Sequence, residues 1–283
     1  MQTAHNIAKD SVRAGPLAYL RPAELGGERQ WHAGAECDAA LLALAIVVPG
    51  CAADSGPANL ALWRIVDQGC NASPATVVTT AQGIAGGLAC EHALGYAVLK
   101  DRCGPTHFLV IPTARRSGVE STELQSVSEP DYFAFAWRER SRSTVARNTI
   151  GSEPSNTRDA GDIGLAVNSR YGRSQAQLHI HIDFLRPDVR AALRALPPEL
   201  APGTRLQLMG HWYRVAHVDS LARSPFIEVA GQWQAADEEE RARLTIAVVS
   251  DGDRGFYILS DRADPAGLDR GHAEELLVPR SCY

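Results

Sequence analysis

The seven residues Gln177-Leu178-His179-Ile180-His181-Ile182-Asp183 alternate strictly between polar and apolar side chains. A period of two is that of a β-strand, so Gln177, His179, His181 and Asp183 share one face and Leu178, Ile180 and Ile182 the other. Burying such a polar row without partners is costly, so the face must meet a ligand, a metal or water. A solvent-facing edge strand is the plain alternative. It ranks lower, because adjacent imidazoles and an amide have little structural purpose, whereas each donates or accepts toward a phosphate.

Two chemistries suit this row. His179, His181 and Asp183 form a zinc-ligand set in which His-x-His places two imidazoles on one ion. Alternatively, one imidazole attacks phosphorus while its neighbours hold the tautomer and the phosphate oxygens. The residues upstream favour the second. Asn168, Ser169, Arg170, Gly172, Arg173, Ser174 and Gln175 form a polar turn that feeds into the histidine strand. Such a turn supplies neutral donors, backbone N–H groups and guanidinium forks, the needs of a phosphoanhydride. His107, heading an apolar strand, reads as a satisfied structural residue, and His211, His217 and His272 are scattered without partners at metal spacing.

Outward from this element, Ile163 to Val167 is a short buried strand, and the histidine strand extends from Gln177 to Leu185. Pro187 opens a helix with Val189, Ala192, Leu193 and Leu196 at helical spacing, stopped by Pro197-Pro198. Gly95 to Lys100 and His107 to Pro112 form a strand pair across Gly104-Pro105. Asn59 caps a helix through Leu60, Trp63 and Val66 that ends at Gly69. Ser128 caps another, with Pro130 in its first turn and an apolar side from Tyr132 to Trp137, followed by a basic half from Arg138 to Arg147. Gly151 to Asp159 is an exposed loop. Further strands are expected at Arg205 to Met209, His211 to Val218, Phe226 to Ala230, Leu244 to Val249 and Gly255 to Leu259, with a solvated helix face at Asp237 to Arg243.

The 283 residues allow one large domain or two small ones, and a hydrophobic share of 45% excludes whole-chain disorder. With 28 basic and 33 acidic residues the net charge is −5, no footprint for tracking a nucleic-acid backbone. Residues 39–53, AALLALAIVVPGCAA, carry no charge. They are short for a spanning helix and fit a signal or anchor segment, giving a leader over 1–56 and a catalytic domain over 57–283. Among the six cysteines, Cys70 and Cys90 bracket a Gly-, Thr-, Ser- and Ala-rich segment. Closing about twenty residues covalently is worth roughly 3 kcal/mol.

Taken together, VLKD…GP…FLVIPT (Val98 to Thr113), GVES (Gly118 to Ser121), NSRYGRSQ (Asn168 to Gln175), QLHIHI (Gln177 to Ile182), RPDVR (Arg186 to Arg190) and RSPF (Arg223 to Phe226) resemble the CDP-diacylglycerol pyrophosphatase branch of the histidine-triad superfamily. The resemblance runs from about Leu60 to the C-terminus. It implies an α+β fold, a histidine-triad-like antiparallel sheet flanked by helices. It also implies a membrane-associated hydrolase of phospholipid metabolism that splits CDP-diacylglycerol into CMP and phosphatidate.

By position, His179 is the nucleophile that forms a cytidylyl-histidine, His181 fills the third histidine slot and Gln177 stands where the superfamily has its first histidine. Asn168 and Ser174 match phosphate contacts, joined from the same turn by Arg173 and Gln175, and Asp101 matches a ribose-hydroxyl contact. No metal or other cofactor is implied. The expected partners are the lipid substrate and a membrane surface, with the domain exported to the periplasmic side of a bacterial inner membrane, no nucleic acid, and room for a homo-oligomer. A catalytically weak nucleotide- or lipid-binding module is the alternative. The branch often has Ser-Cys after the histidine strand where this chain has Asp183-Phe184, which leaves Cys103 as the expected partner of Cys282. An extra carboxylate at Asp183 must point away from phosphate, bind a cation or orient His181.

Overall fold

The computed structural model describes residues 57–71, 87–149 and 162–280. The whole 1–56 leader with its uncharged segment 39–53, the 151–159 loop and Cys282 lie outside the described residues. No helix among the described residues is long and apolar enough to cross a membrane.

Nine strands form one sheet among the described residues: β1 (Leu88–Glu91), β2 (Tyr96–Lys100), β3 (Phe108–Pro112), β4 (Ile163–Val167), β5 (Ile180–Phe184), β6 (Arg205–Leu208), β7 (His211–Val218), β8 (Leu244–Ser250) and β9 (Phe256–Arg262). Their order is β1-β2-β3-β5-β4-β8-β9-β7-β6. Each neighbouring pair is antiparallel. Six helices flank it: α1 (Ala61–Val66), α2 (Tyr132–Glu139), α3 (Ser141–Thr149), α4 (Pro187–Arg194), α5 (Pro225–Trp233) and α6 (Glu238–Ala242). The chain is thus α+β, with an antiparallel sheet covered by helices.

The alternation of the strands divides the core. On one face, Ile180, Ile182 and Phe184 of β5 join Leu165, Val248 and Ile258 beneath Phe133 of α2 and Phe226 of α5. On the other face there are two separate apolar clusters. Leu62 and Val66 of α1 cover Ala97, Leu99, Leu109 and Ile111 at the β2–β3 end. Val189 and Leu193 of α4, with Leu276 and Leu277, cover Ala166, Ala247 and Leu259 further along the sheet. Since His181 pairs with Leu109 on one side and Ala166 on the other, the histidine row falls in the seam between these clusters.

The regular strand is shorter than the alternation implies. It runs from Ile180 to Phe184, with Leu178 entering through a backbone bond to Arg116 O at 2.6 Å and Leu185 bridging to Leu277. It is also no edge strand, being flanked by β3 and β4. Phe226 to Ala230, expected as a strand, lies in helix α5. Pro225 occupies its first turn, and Phe226, Val229 and Ala230 are buried at helical spacing. The cap of α2 is Asp131 rather than Ser128, its carboxylate accepting from Phe133 N at 3.0 Å and Ala134 N at 3.2 Å. Asn59 caps no helix with its side chain. A 3-10 turn over Pro57–Leu60 leads into α1, and the Leu62 N–H is taken by Gln175 Oε1 at 3.1 Å. Strand β1 falls within what reads as loop and pairs with β2. In α6, expected on a solvated face, Arg241 and Ala242 are buried.

Cys70 and Cys90 are joined, tying the end of the α1 segment to β1 across a separation of 20 residues. Cys103 is also disulfide-bonded, with its expected partner Cys282 outside the described residues. Replacing both Cys70 and Cys90 by Ala is expected to lower unfolding stability by about 3 kcal/mol in a denaturant titration, the entropy of the released loop.

Candidate active site

The polar row of the histidine strand is almost completely enclosed: Gln177 is 0%, His179 8%, His181 4% and Asp183 1% exposed. The row lies in the seam between the two apolar clusters on this face, and each side chain meets different partners.

Gln177 has four bonds. Its Oε1 accepts from Arg115 Nη1 at 2.8 Å and Arg116 N at 3.3 Å, while Nε2 donates to Pro112 O at 3.1 Å and Ala114 O at 3.0 Å. Both amide groups are therefore spent on holding the segment after β3. His179 places Nδ1 2.7 Å from Gln177 O. A carbonyl only accepts, so Nδ1 carries the hydrogen and Nε2 keeps its lone pair. Burial, then the neighbouring His181, lower the pKa of His179 to about 3, so this imidazole stays neutral.

His181 meets a residue that the sequence reading had set aside. His107 Nε2 lies 3.0 Å from His181 Nδ1, and the rings are within 8° of parallel. Behind His107, Asp101 Oδ2 is 2.5 Å from Nδ1. On the other side of His181, Glu274 Oε2 is 2.9 Å from Nε2, an ion-pair contact set off the axis of an aligned hydrogen bond. Arg280 spans both carboxylates, reaching Asp101 at 3.0 Å and Glu274 at 2.6 Å. Burial lowers the pKa of both rings, with Asp101 and Glu274 pulling the other way, and each carboxylate is held well below its usual range, against burial, by its histidine and Arg280.

Asp183 turns to the loop before β3, accepting Thr106 Oγ1 at 2.7 Å and its neighbour Phe184 N at 2.8 Å. It does not orient His181, whose partners are His107 and Glu274. The alternative zinc set does not converge, because His179 Nδ1, both nitrogens of His181 and Asp183 Oδ1 face these separate contacts. Among the described residues a carboxylate–imidazole group gathers instead at His211, Asp261 and Asp269. His211 lies 3.0 Å from Asp269, and His217 lies 3.1 Å from Asp251, so these histidines do have acidic partners.

The 168–175 turn is mainly scaffold. Asn168 Oδ1 accepts from Glu274 N at 3.2 Å, and its side chain also bonds the Glu274 carboxylate. Ser169 Oγ donates to Arg270 O and accepts from Tyr171 N and Gly172 N, both at 3.1 Å. Gly172 packs so closely on the backbone of Arg270 and Gly271 that a Cβ there would meet Gly271 O at 2.7 Å. Arg173 makes a two-pronged pair with buried Glu120, at 2.6 and 2.7 Å. Gly118 leaves the space that Arg173 Nη1 occupies. The GVES motif thus works as a seat for the arginine. Arg173 still acts electrostatically on His179. Ser174 is exposed, and Gln175 Oε1 holds α1 as described above. Asp101, matched by resemblance to a ribose contact, is engaged here with His107, Arg280 and Cys103 N.

Sequence reasoning missed His107, Glu120, Glu274 and Arg280. Glu120 was inside a quoted motif, and His107 heads the quoted strand. Glu274 and Arg280 carry no local signal, since apart from each other their partners, His181, Asn168, His107 and Asp101, are about a hundred residues or more away.

The family model described as CDP-diacylglycerol pyrophosphatase matches residues 58–282, which contain every residue of this site. This chain belongs to that family. A curated CDP-diacylglycerol pyrophosphatase from Yersinia pestis is 37% identical over 226 residues, covering 76% of this chain and 81% of the relative. Members of the CDP-diacylglycerol pyrophosphatase family are hydrolases, and so is this chain.

Two outcomes follow. Glu120→Gln leaves the Arg173 charge buried without its counter-ion and is expected to cost about 3–5 kcal/mol in chemical unfolding. Asp183 has its pKa raised by burial from 3.8 to about 6. The folded form therefore binds more protons than the unfolded chain between those values, and this group's contribution to stability falls as pH rises through them. The Tm of Asp183→Asn minus that of the parent is expected to increase from pH 4 to pH 7, measured by calorimetry.

Proposed function

We propose that the chain hydrolyses the phosphoanhydride of CDP-diacylglycerol in two displacements at the cytidylyl phosphorus, with His179 as nucleophile. The observation that carries this is the 2.7 Å contact between His179 Nδ1 and Gln177 O. It fixes the tautomer, turns the Nε2 lone pair toward substrate and needs no base to remove a proton first. The lowered pKa of His179 keeps that lone pair free at neutral pH.

In the first step Nε2 forms a bond to the CMP phosphorus. The anhydride P–O bond breaks, and its electron pair leaves on phosphatidate, a phosphate monoester that needs little protonation. In the second step water attacks the same phosphorus, the N–P bond breaks, CMP departs and the water's protons pass to solvent and product. Arg173, held by Glu120 beside His179, offsets phosphate charge, with Ser174 at the open side of the turn. Asn168, Asp101 and Gln177 act in this reading through the groups they hold, Glu274, His107 and the segment after β3, rather than by touching substrate. Gln175 steadies α1.

The uncharged segment 39–53 and the Cys70–Cys90 disulfide support a domain exported to the periplasmic face of a bacterial inner membrane, where the lipid substrate lies. Homo-oligomerisation is compatible with this placement.

His179→Ala is expected to lower CMP release from CDP-diacylglycerol by roughly 10⁴-fold with the fold intact by circular dichroism, the scale for losing one member of a nucleophilic set. Rapid quenching of the parent enzyme followed by mass spectrometry should find an acid-labile cytidylyl adduct on the peptide containing His179. Retained turnover in the variant would overturn the assignment.

A further inference from the structure

The mechanism above uses one imidazole, yet a second pair lies directly behind it. The side chains of His107 and His181 are 0% and 5% exposed, and the His181 ring centroid is 4.9 Å from that of His179. The groups facing the pair are Asp101 from the loop after β2, Glu274 from the turn beneath the sheet, Arg280 from the C-terminal segment and His179 just before β5. Lys100 and Asp183 lie beyond, both acting on the same loop.

The protons of this ring can be counted. An ionised carboxylate only accepts, so the 2.5 Å contact of Asp101 and the 2.9 Å contact of Glu274 call for hydrogen on His107 Nδ1 and His181 Nε2. Arg280 Nη1 carries two hydrogens and lies 3.0 Å from Asp101 Oδ2 and 3.2 Å from His107 Nδ1, but the 2.5 Å approach of Asp101 to His107 Nδ1 requires a hydrogen between those two atoms, so the guanidinium bonds the carboxylate. The remaining contact, His107 Nε2 to His181 Nδ1 at 3.0 Å, is a bond only when one nitrogen carries hydrogen and the other a lone pair. Two rings then hold three protons instead of two. The charge agrees: two carboxylates against one guanidinium leave one net negative charge, and the extra proton cancels it. An uncancelled negative charge buried beside a pyrophosphate site is unfavourable both for the fold and for the substrate.

We propose that His107 and His181 share a single proton and act as one buried imidazolium, which neutralises the Asp101–Glu274–Arg280 ring and leaves no uncancelled negative charge behind His179, with His107 as a positioning residue. Its catalytic consequence rests on the assignment of His179 as nucleophile. The imidazolium nearest His179 helps to keep it unprotonated, and the neutral ring does not repel the anionic substrate. Loss of the shared proton as pH rises returns the ring to net negative and lowers activity.

The test is a long-range proton–nitrogen correlation spectrum of the full chain with ¹⁵N-labelled histidine at pH 7. The expected pattern has the two outer nitrogens, His107 Nδ1 and His181 Nε2, as N–H. The two inner nitrogens average between protonated and unprotonated values, with one strongly downfield N–H–N proton. A pattern with one fully unprotonated nitrogen on each ring overturns the proposal. Glu274→Gln, whose amide donates where the carboxylate accepted, is expected to release the extra proton and produce that neutral pattern. If the shared-proton signature persists in this variant, the proposed counter-ion is wrong.

Kinetically, His107→Asn should lower kcat by about 10²-fold, the scale for losing one fixed electrostatic group, and abolish the alkaline limb, recorded in an Asp183→Asn background. An unchanged kcat and pH profile would overturn the role. The His179→Ala protein should keep the three-proton pattern. Failure of the nucleophile assignment would therefore show in turnover and adduct, and failure of this proposal in the nitrogen spectrum.

Discussion

The structure depends on how four polar side chains are enclosed in the middle of a sheet. Strand β5 is flanked by β3 and β4 and its polar face lies between the clusters covered by α1 and α4, so Gln177, His179, His181 and Asp183 do not look out to solvent. Each must be satisfied by protein, and unpaired polar burial is costly enough to dictate the placement of the surrounding elements. The ring of Asp101, His107, His181, Glu274 and Arg280 is the largest result. It ties β2, β3, β5 and the C-terminal segment together at one point.

The 168–175 turn shows how far such supporting contacts reach. Its composition is that of a phosphate loop, and the adjacent site does serve phosphate chemistry in our reading. Yet Asn168 holds Glu274, Ser169 holds the 270–271 backbone, and Arg173 is seated on Glu120. Donors that could be given to a ligand are used first to build the wall behind the nucleophile. His179 differs in having one nitrogen fixed by a local carbonyl two residues back, which prepares the other for reaction without help from distant groups.

Local chemistry was readable where a signal spans a few residues. The alternation over 177–183 identified a strand and its polar face, the Pro-rich stop after α4 marked its end, and the sparse segment between Cys70 and Cys90 marked a bridge. Readings failed where a short run fits two periods. Phe226 to Ala230 suits a strand as well as a helix, and only packing against the sheet selects the helix. His107 looked like a structural histidine because its neighbours are apolar. It is structurally satisfied, but by the active-site ring itself.

By itself the sequence determined which side chains share a face, because Cβ direction follows the two-residue period whatever surrounds the strand. It therefore determined that His179 and His181 stand together. Tertiary structure alone decided that the face is interior, that His107 stacks on His181, and that Glu274 and Arg280 arrive from the far end of the chain. Strand order and long-range pairing come from the burial of whole faces against one another, and no short stretch of residues encodes that.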